Sequence, residues 1–164
     1  MKPLPDRRTA APSIDVLVES PLWNSEPAAE QTVRAAVLAA AAMVSTLTGE
    51  VAIVLTDDST IRALNRDWRG IDTSTNVLSF PAKPANADAG AAMLGDIVIA
   101  YETLARECAE EGKLFPHHLS HLAVHGFLHL MGYDHQNDSD AEAMERLEAA
   151  ILARLDVPDP YRAR

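Results

Sequence analysis

Cysteine is almost absent from this chain: Cys108 is the single one in 164 residues. An internal disulfide is therefore excluded, as is a structural zinc site built on thiolates, and the composition fits a reducing compartment. Aromatic residues are scarce at 5%, so a core must be assembled mainly from Leu, Val, Ile and Ala. Apolar residues still make up 48% of the chain, enough at this length for one domain with a true core. No apolar run is long enough for a bilayer; the longest, Ala35 to Val44, falls well short of about 20 residues. Lys2, Asp6, Arg7 and Arg8 open the chain with no apolar stretch behind them, so no secretory signal is expected and the cytoplasm is the default location. Positive charge is short too: 14 Lys and Arg face 24 Asp and Glu, a net charge of −10. Such acidity repels phosphate and works against a nucleic-acid ligand. Arg62, Arg66, Arg69 and Lys83 would ease that tension by gathering into a local positive cleft. The acidic stretches Glu107–Glu111 and Asp138–Glu148 read as solvated helix faces.

Histidine is what the chain does have, and in a pattern. In His125-Gly-Phe-Leu-His129-Leu-Met-Gly132-Tyr-Asp-His135, the first two imidazoles lie one helical turn apart and project from one face. Gly132 can take the left-handed conformation that ends a helix and turns the chain back, bringing His135 toward the pair. Three neutral imidazoles around one point, with a fourth position free, describe a catalytic zinc site with one Zn2+ per chain. His117, His121, His125 and His129 recur every four residues, but a polar stripe accounts for neither Gly132 nor His135. At ~1.5 Å rise per residue, His121 and His129 are ~12 Å apart along a helix, too far to share a tetrahedral ion. His125, His129 and His135 are therefore the expected metal ligands. His121 is left as a group behind the ligands, a substrate contact, or a packed ring with a backbone partner. His117 and His118, just after Pro116, are expected to face solvent.

Gly126 restricts the chemistry. Metallopeptidases with this histidine spacing carry a glutamate there as general base, and glycine cannot take a proton from water. Glycine inside a helix also costs about 1 kcal/mol relative to alanine, which suggests a close approach by substrate or backbone at that point. Zinc lowers the pKa of a coordinated water to near 7 without a strong neighbouring base. Chemistry that builds charge on an oxygen beside the metal, such as phosphodiester cleavage, suits this best, and it wants an arginine near the phosphate.

Two further blocks are Leu64-Asn-Arg66-Asp-Trp68-Arg69-Gly70-Ile-Asp72 leading to Thr75-Asn-Val-Leu-Ser-Phe-Pro81, and Leu94-Gly-Asp96-Ile-Val-Ile99. With His121-Leu-Ala-Val running into the histidine motif, the three resemble the YbeY family of bacterial endoribonucleases over about residues 50 to 150. The resemblance implies a metal-dependent, single-strand-specific endoribonuclease. Such an enzyme acts in ribosomal RNA maturation, notably at the 3′ end of the small-subunit RNA, and in ribosome quality control. It implies zinc at His125, His129 and His135, and it places the family's important arginine at Arg69, as a clamp on the scissile phosphate. Single-stranded RNA and ribosomal RNA are the implied partners, with the ribosome or a ribosome-associated protein presenting the substrate. Asp96, Ser79, Asn76, Asp134 and His121 are candidates for positioning or proton transfer, each with a structural role as the alternative. Two rival readings stay open: a zinc peptidase using another carboxylate such as Asp134, and a ribosome-associated binding module whose metal only holds the fold.

Periodicity supplies the architecture. Strands are expected at Ile14–Val18 (on an edge), Val51–Thr56, Asn76–Phe80 and Asp96–Ala100. Helices are expected from Pro27 to Gly49 (Val33, Val37, Ala40, Val44 and Leu47 inward), from an Asp58 cap to Gly70 (carrying Ile61, Leu64 and Trp68), and over Glu102–Glu111, Pro116–Met131 and Ser139–Leu155. Pro81 to Met93 reads as a mobile loop bordering the cleft. The class is α+β: a mixed sheet of about four strands with helices packed over it, and the metal site on a helix in the C-terminal half and the turn after it. The domain is expected over 13–156, with 1–12 and 157–164 loosely held.

Overall fold

The computed structural model describes residues 11–44, 49–82 and 93–162. Most of the expected N-terminal tail, most of the expected loop between Pro81 and Met93, Leu47 and Lys83 lie outside the described residues. Four strands form one mixed sheet: β1 (Ser13–Val18), β2 (Glu50–Thr56), β3 (Val77–Pro81) and β4 (Met93–Ala100), in the order β1-β2-β4-β3. β1 runs parallel to β2, and β2 parallel to β4, while β3 lies antiparallel to β4 on the far edge. The class and strand number agree with the sequence pattern. The parallel pairings arise because α1 (Ala29–Val44) returns the chain between β1 and β2, and the helix over Asp58–Arg69 followed by β3 returns it between β2 and β4.

Helices cover both faces of the sheet. Alternation along β2 and β4 sends Val51, Ile53, Leu55, Ile97 and Ile99 to one side, where they meet α1, α4 (Phe115–Leu130) and α5 (Asp138–Ala153) in the main core. Val98, Ala100 and Leu78 point the other way, toward Ile61 and Leu64 of α2 (Asp58–Arg69), forming a smaller cluster. α3 (Tyr101–Glu111) follows β4 directly. The few aromatics are concentrated: Trp23, Tyr101 and Phe115 meet with ring centroids 5.4–5.8 Å apart, and the buried Trp23 indole donates to the Thr56 carbonyl at 2.8 Å.

Three local expectations are corrected. Asp57, not Asp58, caps α2, its carboxylate accepting from the Thr60 N–H at 2.8 Å. Asp58 is the first helical residue, and its carboxylate instead accepts from the Thr103 N–H and hydroxyl, tying α2 to α3. Trp68 does not join Ile61 and Leu64 inside. It is 74% exposed, and its ring meets the Phe80 ring edge-on at 6.3 Å. The segment from residue 157, expected to hold loosely, packs through buried Val157 and through Tyr161, whose hydroxyl donates to Glu148 at 2.7 Å.

α4 crosses the sheet at Gly126. A Cβ there would stand 2.8 Å from the Ile97 Cγ2 and 3.1 Å from the Ser79 Oγ, and the Ser79 hydroxyl donates to the Gly126 carbonyl at 2.9 Å. The close approach anticipated at this glycine is thus made by the sheet itself. Gly126→Ala gains about 1 kcal/mol of helix propensity but forces apart a packed contact at a cost of about 1–3 kcal/mol. We expect a net loss of about 1 kcal/mol in urea unfolding; a raised midpoint would show that helix and sheet are not pressed together here.

Candidate metal centre

Two imidazoles project from one face of α4 because their residues are four apart. The His125 and His129 Nε2 atoms lie 3.0 Å from each other. The helix then ends at Gly132, whose φ of +95° is left-handed. Its N–H reaches the His129 carbonyl, while the Tyr133 N–H reaches back to the Leu128 carbonyl, a Schellman closure. That turn carries His135 back over the pair, with ring centroids 5.7 Å from His125 and 5.1 Å from His129. One ligating atom from each of the three residues lies within 4.8 Å of the others. Ligands at ~2.0–2.1 Å around a tetrahedral ion stand about 3.3 Å apart, so the donor set and its spacing suit a divalent ion. Burial holds the His129 imidazole below the usual histidine range, with neighbouring His125 and His135 acting in the same sense. The neutral ring this favours is the one that ligates metal.

His125 is oriented from behind. Its Nδ1 lies 2.9 Å from the Glu148 Oε1; a carboxylate only accepts, so the proton sits on Nδ1 and the Nε2 lone pair faces His129 and His135. The second Glu148 oxygen accepts from the His121 Nε2 at 2.5 Å and from the Tyr161 hydroxyl at 2.7 Å. His121, His125 and Glu148 also form a compact three-residue group, but the His121 Nε2, the His125 Nδ1 and both Glu148 oxygens are already engaged in hydrogen bonds to one another. Glu148 is 1% exposed, which corrects the reading of its stretch as solvated. Burial pushes its pKa up, yet the bonds from His121 and His125 outweigh this and hold it at about 2. His121 is accordingly linked to the ligand set only through Glu148, and it does not line the histidine cleft. Glu107 is not simply solvated either: it receives the Asn76 amide and the ring of His118, which is buried rather than solvent-facing.

The three histidines open into a cleft of about 600 Å³ lined also by Arg69, Thr75, Asn76, Ser79, Tyr133 and Asp134. Arg69 leaves the last turn of α2 and makes no hydrogen bond or ion pair among the described residues, whereas Arg62 and Arg66 are paired with Asp72 and Asp67. Of the arginines expected to gather at the metal, only Arg69 does so; the other two are held by carboxylates nearer to them. Asp134 accepts from the His135 N–H at 2.7 Å. Asp96 lies on β4 outside the cleft lining. Thr75, Tyr133, Glu148 and Tyr161 escaped the sequence analysis as site residues. Glu148 had a signal: it stands four residues after Met144 and three before Ile151, on the buried stripe of α5.

An α+β sheet presenting converged imidazoles in an open cleft beside an unpaired arginine is the framework of a metal-dependent hydrolase. The comparisons specify which: the family model described as Endoribonuclease YbeY matches residues 21–156, and the chain belongs to that family. A relative of that name from Nitrobacter winogradskyi is 56% identical, covering 94% of this chain and 84% of its own length. Another from Bradyrhizobium diazoefficiens is 58% identical, covering 93% and 87% respectively. A solution structure from Thermotoga maritima aligns with 91% of this chain and 99% of its own, at 21% identity and a TM-score of 0.47.

A carboxylate held below its usual value contributes stability that is present above the unfolded pKa of about 4.5 and lost as pH falls toward 2. Without added metal, the wild type should therefore exceed Glu148→Gln by on the order of 3 kcal/mol near neutrality. The gap should narrow across that acid window in urea titrations. A gap that stays constant from neutral pH down to acid would mean that Glu148 is not held ionised by its histidines.

Proposed function

We propose that the protein is a zinc-dependent, single-strand-specific endoribonuclease of ribosomal RNA maturation, acting at the 3′ end of the small-subunit RNA and in ribosome quality control. The observation that carries the reading is the meeting of His125, His129 and His135 in a cleft that also holds the unpaired Arg69. Among the described residues only these three side chains converge there, which leaves a ligand position for water or substrate and argues against a metal that merely holds the fold.

His125, His129 and His135 would bind the zinc, with Glu148 keeping the His125 lone pair aimed at it. Bound zinc supplies Lewis acidity at the phosphate and makes water acidic enough to attack near neutral pH. Arg69 forks onto the non-bridging oxygens of the scissile phosphate and stabilises the charge that grows on them. Asn76, held by Glu107, and Ser79, held by the Gly126 carbonyl, also line the cleft and would orient the sugar-phosphate chain. Asp134, which also lines the cleft, would take a proton from the nucleophile. The nucleophile is water or the RNA 2′-hydroxyl: the first leaves a 5′-phosphate, the second a 2′,3′-cyclic phosphate. The net charge of −10 makes affinity for free RNA weak, so the ribosome or an associated protein presents the strand. The single cysteine fits work in the reducing cytoplasm, and no described helix is long and apolar enough to cross a membrane.

Zinc-loaded protein should cleave single-stranded RNA and spare duplex. Arg69→Ala should keep its zinc and lose about 10²–10³-fold in kcat/KM, whereas His129→Ala should lose zinc and activity together. Cleavage by Arg69→Ala at the wild-type rate would remove the phosphate clamp from the account. Zinc-loaded wild type that leaves RNA intact would defeat the nuclease reading as a whole.

A further inference from the structure

We propose that Trp68 is a stacking platform for an unpaired base of the RNA strand next to the cleft. This rests on the nuclease reading for its substrate. Trp68 has the highest exposure of any large apolar side chain among the described residues, at 74%. Its ring meets Phe80 edge-on at 6.3 Å, and Phe80 stands between Ser79 and Pro81 on edge strand β3. Those two neighbours of Phe80 line the histidine cleft, and so does Arg69, the next residue after Trp68. A strand whose phosphate is held by Arg69 therefore leaves the cleft around the β3 edge and meets the indole face.

On α2, Arg69 follows Trp68 directly, whereas Arg62 and Arg66 lie on a face about 120–160° away from the indole. Arg62 and Arg66 are exposed and paired with the equally exposed Asp72 and Asp67. That leaves Arg69 as the cleft cation next to the open aromatic ring, the pairing a single-strand site uses: the charge holds the backbone and the ring takes a base face. A duplex cannot use it, because its bases are already stacked on one another. The preference for single strands thus has a physical origin in Trp68.

The chain contains two tryptophans, and Trp23 is 3% exposed, so fluorescence quenching by a ligand reports on Trp68. The test adds a phosphorothioate oligoribonucleotide, single-stranded or annealed, to the zinc-loaded protein. Single strands should quench the emission and shield it from iodide, while duplex should do neither. In cleavage assays Trp68→Ala should raise KM about 5- to 100-fold, with a smaller effect on kcat, and Trp68→Phe should restore most of the affinity. Absence of quenching by single strands, or an unchanged KM in Trp68→Ala, would overturn the platform while leaving the nuclease reading standing. Quenching by RNA that the wild type then fails to cleave would retain the platform and remove the nuclease.

Discussion

Glu148 joins three parts of the chain that are far apart in sequence. From α5 its carboxylate takes hydrogen bonds from His121 and His125 on α4 and from Tyr161 near the C-terminus. An unpaired buried carboxylate is costly, so this arrangement holds only because three donors converge on it. The same bonds decide which nitrogen of His125 carries its proton, and so which nitrogen is offered to a metal. Packing of the C-terminal segment and the electronic state of the site are thus one interaction.

A second constraint is the closeness of α4 to the sheet. Gly126 lets the helix settle against Ile97 and Ser79, which sets His125 and His129 beside β3 and hence opposite Arg69. The glycine removes the position a peptidase would use for its base and gives the space that builds this cleft. Loss of one chemistry and construction of the other follow from the same missing side chain.

Much of this was legible in the sequence. Among the described residues the four strands and the five α-helices fall close to their expected positions, since alternation and helical period survive in apolar-rich segments; the short 3-10 helix at Pro21–Ser25 was not anticipated. The histidine spacing and Gly132 anticipated the geometry of the site. What escaped depended on partners from distant elements. Glu148 sits in a charge-rich stretch and reads as solvated unless its register with Met144 and Ile151 is followed. His118, next to Pro116 at a helix start, has no local reason to be buried; Glu107 of α3 supplies it. Trp68 errs in the opposite direction: its period matches the stripe of Ile61 and Leu64, yet in the last turn of α2 its ring stays exposed. The parallel strand order likewise belongs to the three-dimensional arrangement and leaves no mark in any single segment.

An acidic protein that handles RNA must confine its positive potential, and here the only cleft arginine without a carboxylate partner among the described residues is the one beside the histidines. The account stands on three imidazole nitrogens holding one ion with room for a fourth, non-protein ligand. X-ray absorption at the zinc edge of the loaded protein tests this most directly. The account predicts one zinc per chain with three imidazole nitrogens and a light oxygen ligand at about 2.0–2.1 Å. A spectrum with two imidazoles, or with four protein ligands and no exchangeable position, would contradict it.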